Sequence, residues 1–231
     1  MFYYYFDYTY IFVIIGAVIS MIAAANVRAT YNKYSKYGTK SGLTSQEAAG
    51  RILKKAGIKG VQIDHVRGSL TDHYSPGNHI LRLSDSVGNS NSIAAIGVAA
   101  HECGHATQDQ ENYGPLRLRT AAVPIANYGS WFSWPLILLG LLFQWSGLIL
   151  AGIVMFLFVV AFQLITLPVE FDASRRALKI LKEDNMLTES EMVGARKVLT
   201  AAAMTYVAAL FTSILQLVRL ILLFNGTSRR R

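Results

Sequence analysis

Two histidines four residues apart are the residues of this chain whose types and spacing point most clearly to chemistry. They are His101 and His105, in the stretch "GVAAHECGHATQD" at 97–109, and Glu102 directly follows the first of them. On a helix, residues at i and i+4 lie on one face, so both imidazoles can reach one metal ion. Glu102 lies beside that pair, where it can activate a water molecule without binding the metal. The pattern predicts a zinc site with a general base next to it.

A catalytic zinc site needs a third protein ligand. The remaining histidines all lie upstream of the motif: His65, His73 and His79. Downstream, the stretch "LPVEFDASRRAL" at 167–178 offers Glu170, which is either the third ligand or a charge at the end of an apolar segment. An apolar hairpin separates His105 from Glu170. Because a hairpin crosses a membrane twice, His105 and Glu170 are expected on the same side. This favours the interpretation of Glu170 as the third metal ligand.

Composition favours a membrane protein over a soluble or nucleic-acid-binding one. Charged residues are 16% of the chain, against roughly 25% in ordinary soluble domains, and hydrophobic residues reach 52%. The formal net charge is +8, but the basic residues are scattered between apolar segments, which argues against nucleic acid as a partner. The single cysteine, Cys103, excludes an internal disulfide and a Cys-rich zinc module, and we expect it to be a small buried filler.

Four apolar segments are long enough for membrane helices, which need about 20 residues. The first follows a tyrosine-rich start without Lys or Arg, which favours an uncleaved anchor over a signal peptide. The predicted fold is a mainly α integral membrane protein with about four transmembrane helices and a small zincin-like α+β catalytic region. We expect one functional unit of five segments: an N-terminal membrane anchor (1–27), a catalytic region with the histidine motif (28–120), a transmembrane helical hairpin (121–167), a Glu170 helix and connector (168–203), and a C-terminal membrane helix with a basic tail (204–231).

The polar regions contain signals for short helices. Thr44 with Glu47, and Thr188 with Glu191, each match a capping box. Ser90 and Ser92 offer caps for a helix of about five turns that carries the histidine motif.

Two short stretches alternate like strands, at 61–66 and 79–84, and the residues between them are typical of a turn. The stretch 79–84 is either an ordinary sheet strand or an edge strand that pairs with an extended substrate.

Four long stretches, in order, resemble the bacterial membrane neutral zinc metallopeptidases: "AAHECGHATQ", "YGPLRLRTAAVPIANYGS", "LITLPVEFDASRRAL" and "GARKVLTAAAMTYVAAL". The resemblance covers nearly the whole chain. It implies an integral membrane zinc endopeptidase in which His101 and His105 bind Zn²⁺ and Glu102 is the catalytic base. It also implies Glu170 as the third ligand, by similarity to membrane gluzincins such as the prenyl-protein and heat-shock membrane proteases.

Those gluzincins carry Glu-x-x-x-Asp, in which the Asp supports a zinc-bound histidine. In this chain Ser174 stands at that position, four residues after Glu170. Asp172 and Asp109 are the other candidates for the supporting role.

The expected partners are protein or peptide substrates in or near the membrane, and the lipid bilayer. Four side chains are candidates for stabilising the oxyanion: His73, Tyr74, Tyr113 and Tyr206. Two rival functions are a membrane scaffold with structural zinc and a transporter, the latter suggested by Arg219 within an apolar segment. An unligated glutamate beside the metal has no use in a scaffold, and the spans lack paired intramembrane acids.

The distribution of charge predicts a cell-membrane protein whose active site faces the cytoplasm. Lys and Arg number 12 in 28–120 and six in 168–203, and none precede residue 28. The basic tail at 229–231 and Arg219 leave four alternatives for the last apolar segment: it crosses fully, stops short, re-enters, or packs as a helix against the hairpin.

Overall fold

Helices dominate the computed structural model, which describes residues 7–228. Within those residues the chain forms six helices and three strands: α1 (Tyr10–Tyr34), α2 (Ser45–Lys55), β1 (Gln62–Val66), β2 (His73–Ser75), β3 (Ile80–Ser84), α3 (Ile93–Gln110), α4 (Gly114–Leu142), α5 (Ser146–Glu183) and α6 (Glu189–Ser228). The predicted fold class, mainly helical with a small sheet, is confirmed. The first six residues of the predicted anchor and the basic tail at 229–231 lie outside the described residues.

The chain divides into two compact units. The first, which we call the helical unit, contains Leu118–Thr166 together with the residues up to Ala23 and those from Thr205 onward. The second, the mixed unit, contains Ala24–Arg117 and Leu167–Met204, and therefore the whole sheet.

The helical unit draws on four helices that are long and apolar enough to cross a membrane: α1, α4, α5 and α6. The predicted number of spans is confirmed. Large apolar side chains stand exposed on these helices, among them Trp131 and Leu142 at 70% and 73%. Contiguous exposed apolar surface of this kind suits contact with lipid and not with water.

Glycines bring α4 and α5 into direct contact within the helical unit. A Cβ on Gly152 would lie 2.8 Å from the Ser133 carbonyl oxygen, and one on Gly129 would lie 2.6 Å from that of Met155. No side chain fits at either place, so the helices pack backbone against backbone, as is common between membrane helices. The two helices are separated by residues 143–145. This break overlaps the polar stretch 144–147, which predicts the turn of a hairpin.

Arg219 of α6 is neutralised at the start of α1. Its guanidinium lies 3.4 Å from an Asp7 carboxylate oxygen, donates to the Thr9 hydroxyl at 3.3 Å, and stacks 4.2 Å from the ring centroid of Tyr10. Within the same unit Thr212 donates to the Gly16 carbonyl oxygen at 3.0 Å. In the helical unit, α6 therefore packs along α1 as far as the first described residues of the chain, which favours a full crossing among the four alternatives for the last segment.

Local sequence signals explain where the helices of the mixed unit begin. Thr44 and Glu47 form the predicted capping box at the start of α2. Thr188 and Glu191 exchange the same two bonds before α6, at 2.7 and 3.4 Å. Ser92 caps α3 by accepting from the Ala95 N–H. These predictions are confirmed.

The sheet of the mixed unit has the order β1-β3-β2, with β1 parallel and β2 antiparallel to β3. The predicted strands at 61–66 and 79–84 are confirmed as β1 and β3. Of the two alternatives for 79–84, the ordinary sheet strand is confirmed and the edge strand is wrong, because β3 lies in the centre of the sheet. The reason is that His73–Ser75, within the region predicted as a turn, forms a third strand and covers that edge.

One further difference from the sequence expectations concerns α5, since a separate Glu170 helix was expected from residue 168 onward. Pro168 lies inside α5, so no new helix begins there.

The helix α3 is buried on most of its surface. It consists largely of small residues, including Cys103, which is fully buried as predicted. Burial raises the pKa of the Cys103 thiol, which keeps it neutral.

Gly104 lets α3 approach α5 at the centre of the mixed unit. A Cβ at this position would lie 2.5 Å from the Ala173 carbonyl oxygen, a distance that real structures do not show. The contact brings the histidine face of α3 against the part of α5 that carries Glu170.

We predict that Gly104→Ala lowers the thermal midpoint, because overpacking costs about 1–3 kcal/mol and exceeds the gain in helix propensity of about 1 kcal/mol. Gly97→Ala on the same helix is the matched control, since its Cβ would meet Ala195 at an ordinary 3.6 Å. Differential scanning fluorimetry of the purified proteins makes the comparison. Equal midpoints for the two variants would contradict the close contact.

Candidate metal centre

Three side chains from two helices converge in the mixed unit. His101 and His105 come from α3 and Glu170 from α5, and one ligand atom of each lies within 4.8 Å of the others. The Glu170 Oε2 atom is 3.3 Å from His101 Nε2 and 3.7 Å from His105 Nε2. Among the described residues, this is the only group of three or more His, Cys, Asp or Glu that could hold a metal ion.

The donor set and its spacing fit zinc. Two imidazoles and one carboxylate are a ligand set of catalytic zinc sites. Tetrahedral ligands at about 2.0–2.1 Å from zinc lie roughly 3.4 Å apart, and the two nitrogen–oxygen distances of 3.3 and 3.7 Å bracket that value. The imidazole rings stand nearly perpendicular, at 84°, with centroids 4.7 Å apart, so both Nε2 atoms can point at one ion.

Second partners orient both imidazoles. The Nδ1 atom of His101 lies 3.1 Å from the Ser174 hydroxyl, and the Nδ1 atom of His105 lies 3.0 Å from the Gln108 amide oxygen. With Nδ1 engaged in each ring, Nε2 is the nitrogen left to face Glu170 and a metal. Hydrogen bonds of this kind fix the tautomer and the ring orientation of metal-binding histidines.

Gln108 also fixes the proton on His105. Its amide nitrogen donates to the Val169 carbonyl oxygen at 2.9 Å and to the Asp172 carboxylate at 3.0 Å. The amide oxygen therefore faces His105 and can only accept, so His105 carries its proton on Nδ1. The Nε2 lone pair is then available to a metal ion.

Glu102 lies in the same helix and is tied to the sheet. Its Oε2 atom accepts a hydrogen bond of 2.8 Å from the backbone N–H of Tyr74 in β2, and the residue is only 7% exposed. Within residues 7–228 no group donates a hydrogen bond to its Oε1 atom, so one oxygen is anchored while the other can receive a proton.

The carboxylates make the site favourable for positive charge. Burial opposes protonation of His105, but the hydrogen bond to Glu170 and the charges of Glu102 and Glu170 outweigh it and raise the pKa of the imidazole. A pocket that holds two carboxylates against two imidazoles suits a dication, which supplies the positive charge without a proton.

The structure separates the candidates for the supporting role. Ser174 contacts His101 directly, whereas Asp172 reaches His105 only through Gln108. Asp109 accepts from the Tyr74 hydroxyl at 2.8 Å, and the bonds described for it lead to the sheet and not to the ligand histidines. Gln108 was not predicted from the sequence, although its position three residues after His105, on the same face of a helix, was an available signal.

The candidates for oxyanion stabilisation lie in different settings. The Tyr74 hydroxyl is committed to Asp109, and burial together with that bond and charge raises its pKa. The His73 ring is held by the Thr71 carbonyl oxygen and by Arg82, at 2.9 and 3.2 Å. The ring of Tyr113 lies under the Arg176 guanidinium, 5.6 Å from its centroid, and Tyr206 belongs to the helical unit.

Comparison with known proteins agrees with this chemistry. The profile of a family described as "Putative neutral zinc metallopeptidase" matches residues 9–225. A protein of Bacillus subtilis (strain 168), named "Putative membrane protease YugP", is 46% identical over 219 residues, which cover 94% of this chain and 97% of that protein. No solved structure matches the chain.

The family match spans nearly all of the chain, the relative is similar over almost its whole length, and four helices suit membrane crossing. These findings support proteolysis, a Zn²⁺ cofactor and a multi-pass membrane protein. The chain belongs to the neutral zinc metallopeptidase family.

Proposed function

We propose that this protein is a gluzincin-like zinc endopeptidase that hydrolyses peptide bonds of membrane or membrane-proximal proteins. One observation carries the proposal: His101, His105 and Glu170 present their ligand atoms within 4.8 Å of one another, in a pocket that also contains the anchored carboxylate of Glu102. A third ligand that is a glutamate on a later helix is what distinguishes a gluzincin arrangement from one with three histidines.

The proposed ligands are His101 and His105 through Nε2 and Glu170 through its carboxylate. When bound, zinc supplies a Lewis acid for the scissile carbonyl and makes water a stronger acid. Ser174 and Gln108 hold the imidazoles in place, and the Asp172–Gln108 hydrogen bond holds the amide that orients His105. Replacing a residue that holds a metal-binding side chain in this way typically lowers metal affinity or activity by about 10–100-fold.

Glu102 is the proposed general base. Its Oε2 is held by the Tyr74 N–H, so the carboxylate cannot rotate freely, and its other oxygen takes the proton of the attacking water. The same oxygen then delivers that proton to the amine of the leaving peptide. A carboxylate already fixed before the substrate arrives loses little entropy in the transition state.

We further propose that the site faces the cytoplasm close to the bilayer. The segments 28–120 and 168–203, which both supply site residues, carry 12 and six Lys and Arg, and the hairpin between them carries none. Glu170 follows the apolar part of α5 within a few residues. Substrates cleaved there are membrane proteins or proteins at the membrane surface, and all five segments act as one functional unit.

A zinc-stabilised membrane scaffold without proteolytic activity is the second candidate. The observation in its favour is that the ligand set ties α3 to α5, so a metal would also stabilise the fold. The unligated Glu102 distinguishes the two functions, because a structural site does not need a base.

We predict that Glu170→Ala lowers the zinc content of the purified protein more than about tenfold, because only two protein ligands remain. The matched control is Glu183→Ala, which removes an exposed carboxylate from the same helix. Zinc is measured by inductively coupled plasma mass spectrometry at equal protein concentration. Wild-type zinc content in Glu170→Ala would exclude Glu170 as a ligand.

We predict that Glu102→Gln keeps the zinc and the thermal midpoint but lowers hydrolysis by about 10²–10⁴-fold, since Gln cannot take the proton. The Gln side chain can still accept from the Tyr74 N–H, so the fold is preserved. New N-termini in membrane proteins are quantified in cells that carry the wild type, Glu102→Gln, or the exposed control Glu189→Gln. Equal fragment patterns in all three strains would favour the scaffold.

We predict that cysteines introduced at Asn78 and Ser190 resist an impermeant thiol reagent in intact cells, whereas one at Ser146 reacts. The first two positions are exposed in the mixed unit and the third lies at the hairpin turn. The Cys103→Ala background removes the native thiol, and lysed cells show that every position can react. Labelling of Asn78→Cys and Ser190→Cys from outside would reverse the proposed orientation.

A further inference from the structure

A basic groove of about 410 Å³ lies between α1 and α6 in the mixed unit, on the helix segments next to the apolar spans. Its lining includes Asn26, Thr30, Lys33, Arg196, Lys197 and Met204. It shares no residue with the candidate metal centre, and nothing in the proposed peptidase chemistry uses it.

The charge of the groove is entirely positive. Lys33, Arg196 and Lys197 line it, and no Asp or Glu does. Within residues 7–228, none of these three side chains forms an ion pair with a carboxylate, whereas six other Lys and Arg side chains of the mixed unit do: Lys55, Arg82, Arg175, Arg176, Lys179 and Lys182. Three like charges held on facing helices repel one another, so the groove favours an anion that neutralises them.

The groove changes from polar to apolar along the helix axes. The helices are antiparallel, since Arg219 and Thr212 of α6 contact Thr9 and Gly16 of α1 in the helical unit, and Gly194 contacts Tyr34 in the mixed unit. From Lys197 to Met204, and from Lys33 back to Asn26, the distance along each helix is about 10 Å. The cations lie at the end of the groove farther from the spans, within about 10 Å of them along the helices. Met204 lies where α6 becomes apolar, and Asn26 lies where the apolar part of α1 ends.

We propose that this groove binds an anionic membrane lipid, with the headgroup phosphate on Lys33, Arg196 and Lys197 and the acyl end toward Met204. Guanidinium and ammonium groups are the usual ligands of phosphate, and the hydroxyl of Thr30 can donate as well. Basic residues directly beside membrane spans on the cytoplasmic side commonly recognise anionic lipids. The apolar end favours a lipid over a free phosphate, which would gain nothing from Met204.

The test uses the purified full chain in neutral detergent and native mass spectrometry with added phosphatidylglycerol, phosphatidylcholine or inorganic phosphate. We expect the wild type to bind phosphatidylglycerol in preference to phosphatidylcholine. The triple variant Lys33→Gln, Arg196→Gln, Lys197→Gln should weaken that binding roughly 100-fold, the change typical of three basic residues near an anionic lipid. Lys197→Gln alone, which alters one exposed side chain, should weaken it roughly fivefold.

The matched control changes two lysines and one arginine that are exposed elsewhere in the mixed unit: Lys54→Gln, Lys59→Gln and Arg67→Gln. It removes the same charge and should leave lipid binding within about twofold of the wild type. Equal loss in the control and groove variants would show a non-specific charge effect and overturn the site. Displacement of phosphatidylglycerol by an equal concentration of inorganic phosphate would show that the groove takes a free anion, and would overturn the lipid assignment.

Discussion

The close contact between α3 and α5 sets the geometry on which the candidate site depends. Gly104 stands between the two histidines of the motif, and the Ala173 carbonyl oxygen occupies the space that its side chain would need. That contact places Glu170 3.3 and 3.7 Å from the two imidazoles, the separation that a shared tetrahedral ion requires. A larger residue at position 104 would push α3 and α5 apart, and would thereby move Glu170 away from the two histidines.

Charge balance is the second constraint on the same few residues. Glu170 and Glu102 are 2% and 7% exposed, and a buried carboxylate is costly unless positive charge or hydrogen bonds compensate it. Protons on the imidazoles can meet that need, and a dication meets it better. The partners on Nδ1, Ser174 and Gln108, keep both Nε2 atoms directed at the same point. Metal binding and helix packing are therefore coupled through this pocket.

The sequence predicted those parts of the molecule that depend on short-range spacing. His101, Glu102 and His105 share a helix, and the capping boxes and four apolar helices follow equally local patterns. Glu170 could be predicted as a ligand because an even number of expected membrane crossings separates it from the histidines. The role of Gln108 and the anchoring of Glu102 by the Tyr74 N–H could not be predicted, since each depends on which elements meet in space. The choice between an edge strand and an inner strand for β3 stayed open for the same reason, because the three-residue strand β2 that covers its edge lies within a typical turn sequence.

Zinc K-edge X-ray absorption spectroscopy of the purified wild-type protein tests the central claim most directly. The claim is that two imidazoles from α3 and one carboxylate from α5 hold the metal. It predicts nitrogen and oxygen neighbours at about 2.0–2.2 Å, with multiple scattering from two imidazoles and no sulfur neighbour at about 2.3 Å. A sulfur shell, or scattering that requires three imidazoles, would contradict the account.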